Sequence, residues 1–396
     1  MFHVKPLKAR PLAEDWQQGG FGLYIHWPFC QSKCPYCDFN SHVAAKIDQA
    51  RWRDAYLREI DRAAAETPGR ILQTVFFGGG TPSLLAPEIV DAIIAKVRAA
   101  WPTANDIEIT MEANPGSVEA GRFAAYRQAG VNRVSIGVQA LNDTDLKALG
   151  RLHSVADSLA AIKIAQKTFD RTSFDLIYAR QGQSLAAWQA ELDQALQIAN
   201  GHLSLYQLTI EDGTAFGDRF RRGLLKGLPD EDLGADMYLA TQDATNAAGY
   251  KSYEVSNYAK DSQESRHNCI YWNAGDYIGI GPGAHGRLSL DGCRWSTEAT
   301  SNPTAWLESI EAGAPKERRD LLSSAEQGTE YLMMGLRRDI GIDLERYSRL
   351  AKSTLNRTTV ADLESLGLVV RRENRLSATP SGRLVLNAVI EKLMAE

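Results

Sequence analysis

Three of the chain's five cysteines lie within eight residues, in the stretch FCQSKCPYCDF at positions 29–39. They are Cys30, Cys34 and Cys37, with the spacing C-x3-C-x2-C. Thiolates bind iron–sulfur clusters or zinc. Three thiolates leave one iron of a [4Fe–4S] cluster without a protein ligand, and that iron can take a small-molecule chelate. A zinc site needs a fourth ligand, for which Asp38 and His42 are near, although zinc sites usually pair their cysteines as C-x2-C.

The composition predicts a globular protein: 396 residues, 44% of them hydrophobic and 23% charged. The net charge of −5 excludes a broad basic surface for nucleic acid or an anionic membrane. No 18 apolar residues run together, so we expect no integral membrane segment. The first residues, MFHVKPLKARPLAEDW, lack the apolar stretch of a signal peptide. We therefore expect a cytoplasmic protein, in which clustered cysteines are ligands or catalysts and not disulfides.

The segments that must position the cysteines alternate between strand-like and helix-like patterns. Strands are predicted at 21–27, 71–77, 106–112, 131–139, 172–178 and 202–210. Helices are predicted at 48–66, 87–101, 117–129, 154–168 and 184–199, the last two capped by Ser154 and Ser184. Six βα-type units in series predict a mostly parallel sheet.

The residues able to do chemistry follow the strands one by one. In chain order they are the cysteine motif, GGGTPS at 78–83, Glu112, Gln139, Asp175 and Glu211. Barrels carry their active sites at the carboxyl ends of their strands, whereas open sheets concentrate the site at one switch point. Contributions from every strand therefore predict an α/β fold with a partial (β/α)6 TIM-type barrel.

The chain is predicted to divide into four parts. An N-terminal extension covers 1–20, the barrel 21–215, an irregular α/β extension 216–319, and a C-terminal module 320–396. The Gly-rich stretch YIGIGPGAHG at 277–286 predicts a tight turn or a close backbone approach. Helices followed by a hairpin make the last part a winged-helix-like α+β module. Its 11 Lys+Arg and 11 Asp+Glu cancel, so no nucleic-acid partner is expected.

The cysteine motif after a first strand, with the aromatic Tyr36 before its last cysteine, resembles the radical S-adenosylmethionine (SAM) superfamily. The resemblance implies a [4Fe–4S] cluster held by the three cysteines. It also implies that the amino and carboxylate groups of SAM chelate the open iron, and that an electron from the cluster cleaves the sulfonium to give a 5′-deoxyadenosyl radical.

Longer stretches resemble the oxygen-independent coproporphyrinogen III oxidases and their relatives. These stretches are LYIHWPFCQSKCPYCDFNS, FFGGGTPSLL, MEANPGS, RVSIGVQALND and DLIYARQGQS. The cofactor-binding positions that the resemblance implies are Tyr24, Tyr36, Gly79, Gly80, Thr81, Glu112, Gln139, Arg151 and Asp175. Considered alone, each of these would more often be a surface residue, a turn or a cap; together they predict one pocket.

Two features separate the chain from the oxidases and match the haem chaperone branch, often called HemW. Phe39 stands where the oxidases have a further cysteine, and only about 20 residues precede the first strand. HNCIYW at 267–272 also resembles that branch's H-N-x-x-Y-W signature. His267 is a candidate haem ligand and the Tyr and Trp are flat faces for a porphyrin, while the alternative of a buried histidine among packed aromatics stays open. Cys269 and His285 are weaker candidates.

The resemblance thus implies a haem chaperone that holds a [4Fe–4S] cluster, SAM and haem, and hands haem to acceptor proteins. The alternative is an oxygen-independent coproporphyrinogen III oxidase of porphyrin biosynthesis, so whether the chain is an enzyme stays open. An electron donor and a second copy of the chain are further partners to be tested.

Overall fold

The computed structural model describes residues 15–44 and 46–395, so most of the N-terminal extension lies outside the described residues. Six strands form the barrel: β1 Phe21–Trp27, β2 Leu72–Gly79, β3 Thr103–Ala113, β4 Arg133–Gln139, β5 Arg171–Tyr178 and β6 Gly201–Gln207. Each strand pairs in parallel with the next in chain order. The predicted partial parallel barrel is therefore confirmed.

Five long helices connect these strands: α1 Gln49–Glu66, α2 Pro87–Ala100, α3 Ala120–Ala129, α4 Val155–Thr168 and α5 Leu185–Ile198. The predicted caps are present, because Ser154 and Ser184 accept hydrogen bonds from the backbone of the first helical turn. Shorter elements lie beside them: helices Trp16–Gly19 and Asp143–Ala148, 3-10 turns Pro82–Leu84 and Pro115–Ser117, and the paired two-residue strands Phe29–Cys30 and His42–Val43.

The segment after β6 adds strands to both edges of the barrel sheet. Its strands are β7 Lys251–Ser252, β8 Asn257–Ala259, β9 Asp276–Ile280, β10 His285–Leu290, β11 Cys293–Ala299 and β12 Glu317–Leu321. Its helices are α6 Ala215–Arg221, α7 Glu231–Ala247, α8 Arg266–Trp272 and α9 Pro303–Glu311. β9 pairs in parallel with β1 and β8 antiparallel with β6, giving a twelve-stranded sheet in the order β12-β11-β10-β9-β1-β2-β3-β4-β5-β6-β8-β7. The Gly-rich stretch covers most of β9, the turn at 281–284 and the start of β10.

The C-terminal module has its own small sheet and its own apolar core. Its strands, β13 Ile342–Asp343, β14 Val369–Arg372 and β15 Arg375–Ala378, pair in the order β13-β15-β14. Its helices are α10 Ser324–Gly335, α11 Leu344–Ala351, α12 Arg357–Ser365, α13 Pro380–Leu384 and α14 Leu386–Met394. Arg346 joins the module to the segment before β1 and to the end of α8, by donating to both oxygens of Asp15, at 2.9 and 2.7 Å, and to the Asn273 carbonyl.

The two faces of the barrel strands differ in polarity. Leu23, Ile25, Val75 and Phe77 are fully buried in the main apolar core on one face. The residues between them point to the barrel interior, where the stacked rings of Tyr24 and Phe76 lie among polar side chains. The interior polar residues are Thr74, Glu108, Thr110, Glu112, Arg133, Ser135, Arg171, Ser173, Asp175, His202 and Ser204. A polar interior is suited to a ligand and not to a packed core.

Candidate functional site

The three clustered cysteines lie where β1 ends, and each sulfur has a hydrogen-bonding neighbour. Thr81 Oγ1 donates to Cys30 Sγ at 3.4 Å, Arg151 Nη1 donates to Cys34 Sγ at 3.4 Å, and Ser41 Oγ lies 3.9 Å from Cys37 Sγ. The cysteines are partly buried and none is in a disulfide. Burial raises the pKa of the Cys30 and Cys37 thiols, and the hydrogen bonds from Thr81 and Ser41 oppose that rise.

This donor set fits a [4Fe–4S] cluster better than a zinc ion. His42, the candidate fourth zinc ligand, has Nε2 2.9 Å from Asn40 Oδ1. Within residues 15–44 and 46–395, no three His, Cys, Asp or Glu side chains form a site for a single metal ion. A cubane cluster takes one thiolate on each of three irons, so its ligands need not meet at one ion. Three free thiols with stabilising donors are what such a cluster requires.

The glycine loop after β2 packs tightly against the chain that carries Cys30. Gly79 has φ +111°, and a Cβ there would lie 2.6 Å from His26 Nδ1. A Cβ on Gly80 would lie 2.7 Å from the Phe29 carbonyl oxygen. The Gly80 and Thr81 amides donate to the Trp27 and Phe29 carbonyls at 2.7 and 2.9 Å. The glycines are therefore required by contacts within the protein, in addition to any contact with a ligand.

Two interior carboxyl groups lie at this end of the barrel. The Gly79 amide donates to Glu112 Oε2 at 3.1 Å, and Ser135 Oγ donates to Asp175 Oδ1 at 3.2 Å. Burial and, secondarily, the charge of Asp175 raise the pKa of Glu112 to about 8. Burial raises the pKa of Asp175 to about 6. The pair can therefore accept a cationic group, whose charge would favour ionisation of both.

Arg151 joins β4 to the cysteine loop. Besides its contact with Cys34, it donates through Nη2 to the Gly137 carbonyl at 2.8 Å. Gln139, at the end of β4, has φ +74°, an uncommon conformation for a residue with a side chain. Tyr36 packs against Phe216 of α6, with ring centroids 6.3 Å apart. These residues form one wall of the site.

His26 belongs to the site but was not predicted from the sequence. Its Nδ1 lies 3.1 Å from the Tyr24 hydroxyl and its Nε2 lies 2.9 Å from the Asn40 carbonyl. Burial lowers its pKa, so the ring is neutral near pH 7. The signal was available, because Tyr24 and His26 alternate on β1 and must share the interior face.

The structure thus brings the predicted residues from five strands together at the carboxyl end of the barrel. The direct links are Thr81 to Cys30, Arg151 to Cys34, and Gly79 to Glu112. Their contact with SAM stays a prediction.

His267, from the candidate haem signature, lies elsewhere, inside the barrel. It is completely buried, and its ring stacks on Phe76 at 5.1 Å. Its Nδ1 lies 2.7 Å from Thr74 Oγ1 and its Nε2 lies 2.7 Å from the Tyr271 hydroxyl, so both ring nitrogens have partners. Burial lowers its pKa to about 3. A haem ligand role would require these two hydrogen bonds to break.

The other signature residues and His285 differ in their surroundings. Burial raises the pKa of the Cys269 thiol to about 11, which disfavours a thiolate. Trp272 has a buried indole Nε1 without a hydrogen-bond partner in the described part of the chain. His285, at the start of β10, is exposed. The structure therefore leaves His285, and not His267, with an accessible imidazole.

Comparison with known proteins covers nearly the whole chain. The family model of the radical SAM superfamily matches residues 24–195, and that of the HemN C-terminal domain matches residues 322–385. The chain is 38% identical over 380 residues to heme chaperone HemW of Escherichia coli, covering 94% of this chain and 98% of that protein. It is 37% identical over 385 residues to the mitochondrial radical S-adenosyl methionine domain-containing protein 1 of Bos taurus, covering 94% and 87%.

A solved structure shows the same fold. Coproporphyrinogen III oxidase (HemN) from Escherichia coli superposes with a TM-score of 0.79 at 20% identity, covering 94% of this chain and 89% of that one. None of the helices in the described part of the chain has the length and apolar character that crossing a membrane requires.

The matches to the two family models, to the HemW relative and to the HemN structure agree with one another. They show that the chain belongs to the radical SAM superfamily, to its coproporphyrinogen III oxidase-like family, and within that family to the HemW branch.

Proposed function

We propose that this protein is a haem chaperone that carries a [4Fe–4S] cluster, binds SAM beside it and transfers haem to acceptor proteins. The observation that carries the proposal is its 38% identity to heme chaperone HemW along 94% of this chain and 98% of that protein. Similarity of this extent includes the barrel, the signature helix α8 and the C-terminal module. We propose that it acts in the cytoplasm.

Three cysteines would hold the cluster, and the residues around them would bind and orient SAM. A bound cluster supplies an electron and one open iron. The Thr81 and Arg151 hydrogen bonds to sulfur stabilise thiolates. Glu112 and Asp175 offer acceptors for the SAM ammonium and ribose, and their pKa values, raised to about 8 and about 6, would fall when a cation binds.

Phe39 favours the chaperone over the oxidase alternative. It lies two residues beyond Cys37, and 56% of its surface is exposed. A phenyl ring can neither ligate iron nor exchange a proton or hydrogen atom as a thiol does. The oxidases carry a cysteine at this position, by the resemblance set out above. An exposed aromatic ring beside the cluster is instead suited to contact with a flat ligand or a partner.

His267 is the haem ligand that the signature suggests, and we propose that helix α8 moves when haem binds. The supporting feature is the chemistry of the group: a neutral imidazole is the commonest protein ligand of haem iron. His285 is the competing candidate because it is exposed without any rearrangement. Substitutions at the two histidines should therefore have different effects on haem binding.

The proposal is tested with anaerobically reconstituted protein titrated with haem, with the Soret spectrum recorded. We expect saturable binding, and transfer of the haem when an apo-haemoprotein with a distinct Soret maximum is added. His267→Ala should change the spectrum and weaken binding, and His285→Ala, the substitution at the competing candidate, should not. The reverse pattern would assign the ligand to His285.

The same preparation is offered coproporphyrinogen III without oxygen, in the presence of SAM and a reductant. We expect no vinyl-bearing product. Formation of that product, or no haem binding by the folded holoprotein, would overturn the chaperone proposal.

A further inference from the structure

The segment between β6 and α7 carries an exposed stretch that is both basic and apolar. Residues 219–226, here called the basic turn, have the sequence RFRRGLLK, with four cationic side chains and no acidic one, in a chain whose net charge is −5. Within it, Phe220 and Leu224 are 54% and 51% exposed. Exposed cations around exposed apolar side chains are suited to a ligand that is itself apolar and negatively charged.

Three of the four cations have no ion pair within the described residues. Arg221 is the exception, because it donates to Asp218 Oδ1 at 2.5 Å. The side chains of Arg219, Arg222 and Lys226 are exposed and form no ion pair or hydrogen bond with another residue in the described part of the chain. Two guanidinium groups and one ammonium group are therefore available to an anion.

The end of helix α6 gathers these side chains into a small region. The amides of Gly223 and Leu224 donate to the Phe220 and Arg219 carbonyls at 2.9 and 2.8 Å, and Gly223 has φ +66°. This is the Schellman pattern of a helix end, in which a glycine reverses the chain. Residues 219–224 are therefore one compact turn, and Lys226 follows two residues later.

The basic turn lies at the carboxyl end of the barrel, beside the cysteine loop. The Phe216 amide donates to the Pro35 carbonyl at 2.8 Å, and the Phe216 ring packs against Tyr36. The guanidinium of Arg219 lies over the same Phe216 ring, 5.9 Å from its centroid. The first of the free cations is therefore one side chain away from the cysteine loop.

A further exposed apolar residue adjoins the same loop. Leu152 is 77% exposed and follows Arg151, which donates to Cys34 Sγ. The chain before it packs on the loop, because a Cβ on Gly150 would lie 2.5 Å from Pro35 Cδ. An exposed leucine and the basic turn thus both border the cysteine loop at Pro35.

We propose that the basic turn is a haem-docking subsite at the carboxyl end of the barrel. Its three free cations would bind the two propionates of haem, and Phe220 and Leu224 would contact the edge of the macrocycle. Haem combines a flat apolar body with two carboxylates, which complements three free cations set around two exposed apolar side chains. The inference rests on the proposed function and is independent of whether His267 or His285 binds the iron.

The experiment measures equilibrium binding of haem and of haem dimethyl ester, which has no free propionate, to the anaerobically reconstituted protein. The test variant removes three charges together: Arg219→Gln, Arg222→Gln and Lys226→Gln. The matched control removes three exposed cations on other surfaces: Lys163→Gln, Lys167→Gln and Arg372→Gln. A further variant, Phe220→Ala, removes an apolar contact. Far-ultraviolet circular dichroism and iron content establish that each variant is folded and holds its cluster.

We expect the test variant to weaken haem binding about tenfold and binding of the dimethyl ester less than about twofold, since only haem has carboxylates to pair. The loss should shrink when salt is raised from about 0.05 M to about 0.5 M, because exposed charges are screened. Phe220→Ala should weaken binding of both ligands alike, by about threefold. The matched control should bind both ligands as wild type does.

Equal haem affinity of wild type and the test variant would overturn the subsite and leave the proposed function intact. An equal loss for haem and its ester would also overturn it, because the cations would then not bind the propionates. Unchanged haem affinity with slower transfer to an apo-haemoprotein would instead make the basic turn a surface for the acceptor, which again overturns the subsite.

The single variant Arg222→Gln decides by the same comparison of haem with its ester if the test variant does not fold. We expect a loss of about threefold for haem alone. Failure of folded, cluster-containing wild type to bind haem would overturn the proposed function and this inference together, so that outcome is distinct from a failure of the subsite.

Discussion

The Arg151 guanidinium lies 3.4 Å from the Cys34 sulfur and also donates to the Gly137 carbonyl at 2.8 Å. One side chain from the loop after β4 therefore fixes both the cysteine loop and the end of that strand. It also places a permanent positive charge beside one of the three thiols.

Arg151→Gln should preserve the cluster but lower its reduction potential. All three cysteines remain, so iron per chain should match wild type. The variant loses a cationic donor to a thiolate, and such donors stabilise the more negative, reduced cluster. The potential is measured by a spectroscopic redox titration. The control, Arg127→Gln, removes an exposed arginine paired with Asp170 and should leave the potential unchanged. An unaltered potential in Arg151→Gln would contradict the assigned contact.

Gly80→Ala should destabilise the protein and reduce its iron content. The new methyl group would lie 2.7–2.9 Å from the Phe29 backbone, so the segment before Cys30 must shift. Overpacking of this kind costs about 2–3 kcal/mol. Denaturant unfolding gives the free-energy change, and iron analysis after reconstitution gives the loading.

Gly121→Ala is the matched control for this substitution. Gly121 lies in α3, and an added Cβ there meets no atom within 4 Å. The stability of this variant should stay constant or rise by less than about 1 kcal/mol. Equal stability and iron content in the two alanine variants would show that the glycine loop is not tightly packed against the backbone before Cys30.

Glu112→Gln should change how the stability of the cluster-free protein depends on pH. The raised pKa of about 8 means that the folded state binds more protons than the unfolded state from about pH 4.5 to 8. The contribution of the Glu112 carboxyl to the free energy of unfolding is therefore fully present at low pH. It is lost as the pH rises from about 4.5 to 8. The loss is on the order of 2–4 kcal/mol, since the side chain keeps partial contact with solvent.

Unfolding free energies at pH 5.5, 6.5, 7.5 and 8.5 test this prediction. The stability of Glu112→Gln relative to wild type should increase up to about pH 8. Asp175→Asn is the comparison. The stability of this variant relative to wild type should stop increasing above about pH 6, because the raised pKa of Asp175 is about 6. Parallel pH profiles for wild type and Glu112→Gln would show that burial does not hold the Glu112 carboxyl protonated.

The sequence predicted the barrel well because its signals are local. Six alternating strand and helix patterns, with caps at Ser154 and Ser184, gave the parallel sheet and the end at which the site lies. The cysteine motif and its neighbours were recognised from spacing and resemblance, and the structure places them together.

The parts that sequence did not predict depend on contacts between distant segments. β9 and β10 flank the Gly-rich turn, and β9 pairs with β1 about 250 residues earlier in the chain. His267 packs against Tyr24 of β1 and Phe76 of β2 inside the barrel. Nothing in HNCIYW indicates that Thr74 and Tyr271 would occupy both of its ring nitrogens. The hydroxyl of Thr110 is seen to lack a hydrogen-bond partner in the described part of the chain only when the neighbouring strands are in place.

The central claim is that Cys30, Cys34 and Cys37 hold a [4Fe–4S] cluster whose fourth iron binds SAM. The most direct test is electron paramagnetic resonance of the anaerobically reconstituted, reduced protein before and after SAM is added, together with iron and sulfide analysis. The account predicts about four irons and four sulfides per chain, a reduced-cluster signal whose g-values shift on adding SAM, and loss of that signal in Cys34→Ala. Protein that carries only zinc, or a cluster signal that SAM leaves unchanged, would contradict it.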